Sequence, residues 1–338
     1  MEFNITAPAE KLIIRLWESL EKSTIVIFKP WQIKRIAKAE AIAEQFKNLL
    51  SAQTESDIQD LKSGKKYFDI EQSRLLPIAE NTEISTETML ISNEYVKILC
   101  KSQNVANTIK IAVEQLENEQ EQTITEEPIN QDWLNEWGEH AGFVSDEHMQ
   151  QLWGKILAGE IKNPGSFSLR TMQFLRNLSK EEANLIHKYL NYNINGIIAK
   201  DIIGYTDKIN LPFGDIIKLT EIGILAPDFA GSLVITINIA LKASNGKNVS
   251  THKYYSWLLI IESDKENISF DLPIIKPTQL GLELAQLGNY TGDQNYLELV
   301  GKKILSLNGE LKIFNTTCFS ISSNNIRWEN LQEITLEE

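Results

Sequence analysis

The tripeptide Asn163-Pro164-Gly165 leaves the chain one option, a tight reversal. Proline presets φ for the second position of a type II turn, and glycine accepts the positive φ of the third. Apolar residues at helical spacing flank it on both sides. Met149, Leu152, Trp153, Ile156, Leu157 and Ile161 precede the turn, and a helix from Leu169 to Asn177 follows, with Ser168 as its cap. Ser145 is the expected cap of the upstream helix, with Asp146 and Glu147 in its first turn. Downstream, Ser179-Lys180-Glu181-Glu182 has the spacing of a capping box and opens a helix running to about Asn191.

Helical periodicity extends towards the N-terminus. Leu12, Ile13, Leu16, Trp17 and Leu20 predict a helix over Pro8 to Glu21, followed by an extended patch from Ser23 to Phe28. A second helix is expected from Trp31 to about Ser51, a polar helical continuation to Gly64, and a long helix from Ser85 to Gln122. Thr123 to Asn130 reads as a linker, and Asp132 to His140 as a short helix broken at Gly142. Beyond Gly196 the texture changes. Strands are expected over Ile197 to Ile203, Ser232 to Lys242, Lys253 to Ser263, Ile268 to Ile275 and Glu310 to Ile321, the second and third forming a hairpin through Asn245-Gly246. Helices are expected over Pro212 to Ile222, from Thr278 to Leu287 and from Asp293 to Leu305, with a frayed tail from Gln332. Thr220-Glu221-Ile222-Gly223-Ile224 echoes Thr278-Gln279-Leu280-Gly281-Leu282, and each glycine suits a close contact.

The expected class is therefore α+β, mainly helical in its N-terminal and middle parts. The C-terminal region, with an antiparallel hairpin and further strands, is winged-helix-like in element order. The 338 residues divide into 1–125, a helical region suited to oligomerisation, 126–195, a helical signature domain, and 196–331, the α+β region.

Charge narrows the partners. Between Ile111 and Gly154 there are eleven acidic residues and no Lys or Arg, against a net charge of −13 for the whole chain. Such a surface repels phosphate backbones and anionic lipid. The locally basic stretch is Lys29 to Lys47, with Lys29, Lys34, Arg35 and Lys38 as a candidate RNA- or membrane-facing surface beside Phe28 and Trp31; a solvated helix face is the plainer reading. The helix over Pro212 to Ile222 would be the recognition helix of a winged-helix domain. It offers Lys218 against Asp215 and Glu221, a poor match to DNA. No apolar run reaches the roughly 20 residues of a membrane span, and the N-terminal sequence has no secretory pattern. Two distant cysteines suit a reducing compartment, so a cytoplasmic location is expected.

Catalytic signatures are missing. There is no Gly-rich phosphate loop, no nucleophile elbow, no H-E-x-x-H and no C-x-x-C, so no cofactor and no metal is expected. His140 and His148, each beside an acid, are separated by Gly142. The remaining candidate is the turn. Ser166, Ser168 and Arg170 could hold an anion at a helix N-terminus, or Ser168 caps the helix while Arg170 pairs with Glu160 across the turn. The brace is preferred, and Glu160, Ser166, Ser168 and Arg170 stand as the candidate binding residues.

The stretch from Ser145 to Thr171, with Leu152-Trp153-Gly154-Lys155-Ile156-Leu157-Ala158-Gly159-Glu160-Ile161 followed by Pro164-Gly165-Ser166-Phe167-Ser168-Leu169-Arg170-Thr171, resembles a bacterial domain family of unknown function. The resemblance is specific over about thirty residues and is expected to extend from the N-terminal basic helix to the Gly281 helix. A looser likeness, centred on Leu152-Trp153 and Ile156-Leu157-Ala158, is to abortive-infection proteins of phage defence. It implies a defence role and brings no catalytic residues. The expected function is a non-enzymatic interaction or sensor protein that assembles through its N-terminal helices, with a protein partner or a second copy. The alternatives are a nucleic-acid-associated regulator using the winged-helix-like region, and an enzyme with a site around Glu160 and Arg170.

Overall fold

The computed structural model describes residues 7–23, 25, 52–79, 84–117, 127–200, 202, 212–228, 233–239, 241–243, 246–265, 268–322 and 325–336. The chain folds as two compact units, Met1–Arg176 and Asn177–Glu338. The expected strand at Ser23 to Phe28, the helix over Trp31 to Ser51, the basic residues Lys29, Lys34, Arg35 and Lys38, and residues 123–126 of the expected linker lie outside the described residues, apart from Ser23 and Ile25.

In the first unit the described helices are α1 (Ala7–Lys22), α2 (Ala52–Lys62), α3 (Thr86–Glu117), α4 (Gln131–Gly142), α5 (Glu147–Lys162) and α6 (Leu169–Arg176). The spine is α3, whose 32 residues span about 48 Å at the helical rise. Ser85 caps it, accepting from the Thr88 N–H at 3.1 Å. Its second half buries Val105, Ala106, Ile109, Ala112 and Leu116, and α1, α4 and α5 lie against it. Ala9, Leu12, Leu16 and Leu20 supply the buried stripe of α1. A short hairpin, β1 (Lys66–Asp69) and β2 (Arg74–Pro77), joins α2 to α3. The helix expected over Asp132 to His140 runs Gln131–Gly142, and its cap is Asn130, which accepts from the N–H groups of Asp132 and Trp133. The cap of α5 is Asp146 rather than Ser145; its carboxylate accepts from the Met149 N–H at 3.0 Å. Two adjacent capping residues were competing, and the helix starts one residue later than expected.

The second unit opens with α7 (Lys180–Leu190), where the capping box forms: Ser179 Oγ accepts from the Glu182 N–H, and the Glu182 carboxylate accepts from the Ser179 N–H. Its other described helices are α8 (Phe213–Glu221), α9 (Gln279–Leu287) and α10 (Gln294–Leu307). Every strand pairing among the described residues is antiparallel. A three-stranded sheet has β4 (Val234–Ile239) and β3 (Ile198–Ala199) on either side of β8 (Ile268–Ile275). A five-stranded sheet runs β12 (Gln332–Ile334), β9 (Lys312–Thr316), β7 (Trp257–Ser263), β6 (Asn248–Tyr254), β5 (Leu241–Lys242). A further hairpin pairs β10 (Phe319–Ser322) with β11 (Asn325–Trp328).

Three strand expectations are corrected here. The run Ser232 to Lys242 divides between two sheets: β4 pairs with β8, and only Leu241–Lys242 enters the Gly246 hairpin, against Asn248 and Val249. The run Lys253 to Ser263 contains a two-residue reversal at Tyr255-Ser256, with Tyr255 at φ +50, so it belongs to two adjacent strands. Tyrosine is not a turn former, and the sequence hides the break. The tail from Gln332 is not frayed throughout, because Gln332–Ile334 closes the sheet against β9.

The echoing segments meet. Thr278 Oγ1 caps α9 and also donates to the carbonyls of Gly223 and Ile224, at 2.6 and 3.2 Å. Gly281 lies against the same turn, where a Cβ would sit 2.4 Å from the Ile224 carbonyl oxygen. Only glycine permits that approach.

Candidate functional site

The Asn163-Pro164-Gly165 turn closes through the Ser166 N–H and the Asn163 carbonyl at 3.1 Å, with Gly165 at φ +85. Ser166 Oγ donates to the same carbonyl at 2.6 Å, and Ser168 Oγ accepts from the Thr171 N–H at the start of α6. Glu160, 2 % exposed, spans the turn from inside: one carboxylate oxygen accepts from the Gly165 N–H at 2.7 Å, the other from the Phe167 N–H at 3.2 Å. Arg170 of α6 is exposed. The cation in the field of Glu160 is Arg15 of α1, which Glu127 also faces; burial pulls its guanidinium pKa down and the two carboxylates oppose that pull. No local pattern linked Arg15 to Glu160, 145 residues downstream.

Indole groups complete this region. Trp133 Nε1 donates to the Phe167 carbonyl at 2.6 Å, and Trp137 Nε1 to the Trp153 carbonyl at 3.0 Å. The four candidate residues thus come together around one loop. Glu160, Ser166 and Ser168 are engaged by that loop's own backbone.

His140 is buried beside Trp153, with ring centroids 5.5 Å apart and Nε2 3.2 Å from Glu136 Oε1. His148 is exposed. Among the described residues no three His, Cys, Asp or Glu side chains are grouped to hold a metal ion. Burial drives the His140 pKa below its ordinary value; Glu136 and Glu139 raise it, and Arg176 adds to the depression. The folded unit keeps His140 neutral where the unfolded chain would take up a proton. The stability this contributes is complete above the unfolded pKa of about 6.5 and falls as the pH drops below it. The denaturation midpoint of the first unit, followed by tryptophan fluorescence, should fall between about pH 7.5 and 5.5. His140→Gln should flatten that slope, and an unaltered slope would refute the assignment.

A polar groove of about 840 Å³ opens in the first unit between α2, α3 and the corner joining α4 to α5. Lys62, Lys97, Lys101, Asn104 and Phe143 contribute to its walls. Phe143 is 62 % exposed, with Lys101 Nζ 4.0 Å from the ring centroid and the Arg176 guanidinium 6.0 Å from it. The corner under the ring is held from both sides. Asn104 Nδ2 donates to the Gly142 carbonyl at 2.9 Å, and Gln150 Nε2 to the Val144 carbonyl at 2.8 Å.

The second unit has a more apolar pocket of about 510 Å³. Phe213, Ile216 and Ile217 of α8 line it, together with Pro227 and the Lys200–Asp228 ion pair at 2.8 Å. The exposed residues of α8 are Phe213, Gly214, Ile217, Lys218 and Glu221, one base among them where a DNA-reading helix would be basic, and Asp215 is paired with Lys188 at 3.5 Å. A tyrosine cluster fills the unit elsewhere. Tyr254 OH donates to the Asn191 carbonyl and accepts from the Asp293 N–H; Tyr255 OH donates to the Leu190 carbonyl; Tyr296 OH accepts from the Ala199 N–H. Burial raises all these phenols, Tyr290 to about 12, so they remain protonated partners for backbone groups.

No helix among the described residues is long and apolar enough to cross a membrane. A family model described as a protein of unknown function (DUF2806) matches residues 94–301, more than half of the chain. No curated protein and no solved structure matches it.

Proposed function

Because the chain belongs to the DUF2806 family, whose match takes in Lys97, Lys101, Asn104 and Phe143 of the groove, we propose that the protein acts by binding a ligand there, as an interaction or sensor protein rather than an enzyme. The observation that carries this reading is Phe143, an exposed aromatic ring on a braced corner, with Lys101 4.0 Å and Arg176 6.0 Å from its centroid. A lone exposed apolar residue needs no explanation. One whose backbone is tied by two buried-side amides and whose ring is flanked by Lys101 and Arg176 is a prepared surface. The polar residues of the Pro164-Gly165 turn, by contrast, are already engaged in holding the loop.

Hydrogen exchange on the full chain tests the reading. Host lysate split into fractions below and above about 1 kDa should, in one arm, protect residues 52–62, 97–104 and 142–145. No protection of these segments by either fraction would exclude the groove as the working surface.

The setting we propose is phage defence, supported by the likeness of Leu152-Trp153 and Ile156-Leu157-Ala158 to abortive-infection proteins. Assembly through the N-terminal helices with a protein partner or a second copy belongs to the same proposal. Deleting the gene should raise the plaque count for at least one phage of a panel, and Phe143→Ala should reproduce the deletion.

A further inference from the structure

We propose that the groove at Phe143 takes a nucleoside phosphate, the base stacking on the Phe143 ring and the phosphates meeting Lys101, Lys97 and Lys62. The inference rests on the groove being the working surface and adds the ligand class.

The ring and the cations point to it together. A site for a plain anion has no use for an exposed ring. A site for an apolar ligand would not line its groove with three lysines. Base-on-aromatic stacking combined with cations for the phosphates is the usual chemistry for unpaired nucleotides. The groove's volume, about 840 Å³, falls within the range of small-molecule sites. Its corner is held before any ligand arrives, since the Gly142 and Val144 carbonyls are both bonded to side-chain amides.

The charge balance limits how large the ligand is. Lys62, Lys97, Lys101 and Arg176 are opposed by Glu55 in the groove wall, by Glu94, 2.7 Å from Lys97, and by Glu139, 3.7 Å from Lys101. These lysine pairs are well exposed, and exposed pairs hold their partners weakly, so a phosphate can displace a carboxylate. Four cations against three carboxylates leave a small positive balance. Glu139, Asp146 and Glu147, exposed and close in the chain to Phe143, add negative charge that repels a long polyanion. A single nucleotide, or the unpaired end of a strand, fits that balance, and a duplex does not.

Calorimetric titration of the full chain at low salt tests the assignment. The probes are ATP, adenosine, inorganic tripolyphosphate and a single-stranded hexadeoxynucleotide. Either ATP or the hexanucleotide is expected to bind at least about tenfold more tightly than both adenosine and tripolyphosphate, the difference made by using ring and cations together. Tighter binding of ATP identifies a free nucleotide, and tighter binding of the hexanucleotide a strand end. Phe143→Ala should weaken the winning probe by about 5-fold or more, as for loss of one stacked base, while Phe143→Trp retains it and the melting temperature of both variants stays at the parent value. The proposal is overturned if neither probe binds, if tripolyphosphate binds as tightly as ATP, or if Phe143→Ala has no effect. Should the exchange protection at 97–104 and 142–145 persist while ATP and the hexanucleotide fail, the ligand class falls and the groove remains.

Discussion

Glu160→Ala is expected to destabilise the first unit by about 3 kcal/mol. The substitution removes both acceptors inside the turn: the buried Phe167 N–H loses its partner, at roughly 1–3 kcal/mol for a buried unsatisfied donor, and the exposed Gly165 N–H loses a charge-assisted bond for one to water. It also removes a negative charge from the field of Arg15. For a unit of this size the melting temperature should fall by about 6–12 °C. Glu160→Gln keeps one acceptor oxygen and should lose about half as much. Tryptophan fluorescence suits the measurement, because Trp17, Trp31, Trp133, Trp137 and Trp153 all precede Arg176. A change below about 0.5 kcal/mol, within the range of ordinary surface substitutions, would mean that the turn stands without its carboxylate. Arg170→Ala, at an exposed position, should leave the same transition unmoved.

Gly281→Ala should cost the second unit about 2–3 kcal/mol, and the sign is the informative part. In an exposed helix the exchange of glycine for alanine stabilises by about 1 kcal/mol. Here the added methyl would sit 2.4 Å from the Ile224 carbonyl oxygen and 3.2 Å from Pro277 Cβ, and neither backbone nor proline ring can swing aside. Relief requires α9 to lift from the Gly223–Ile224 turn, which breaks the bond from the Thr278 N–H to the Ile224 carbonyl at 2.9 Å. Calorimetric unfolding gives the size of the loss, and faster exchange of the Thr278 amide gives its place. A more stable variant would show that the close approach is not needed.

What could be read in the residues was local. The Pro164-Gly165 turn, the Ser179 box, the Thr278 cap and the start of α10 at Asp293 are each decided within four residues, and each forms where expected. Strand partnership is decided across the fold. Val234–Ile239 has the alternation of a strand, yet nothing in it says that Ile268–Ile275, rather than the next run, is its neighbour. The hairpin Lys66–Asp69 with Arg74–Pro77 reverses through Ile70-Glu71-Gln72-Ser73, which holds no Gly, Pro or Asn to mark a turn. At the candidate site, Glu160 was found by its position beside the turn, but its partners are backbone groups and a field from α1 that no spacing encodes. Phe143 escaped notice because aromatic residues near it, Trp133 and Trp137, go inside; that it alone faces outward is a result of the corner.

The tyrosine contacts of the second unit impose a waiting time during synthesis. The last carbonyls of Lys180–Leu190 and its neighbour Asn191 depend on Tyr254 and Tyr255, more than 60 residues later, and the Ala199 amide depends on Tyr296, 97 residues later. At roughly 5–20 residues per second, the ribosome takes on the order of 5–20 s to deliver that last partner. Until Ile268–Ile275 follows, Ile198 and Ala199, both buried in the finished unit, have no strand to pair against, while everything up to Arg176 has already been made. The second unit is incomplete until Tyr296 and, after it, Lys312–Thr316 have left the tunnel.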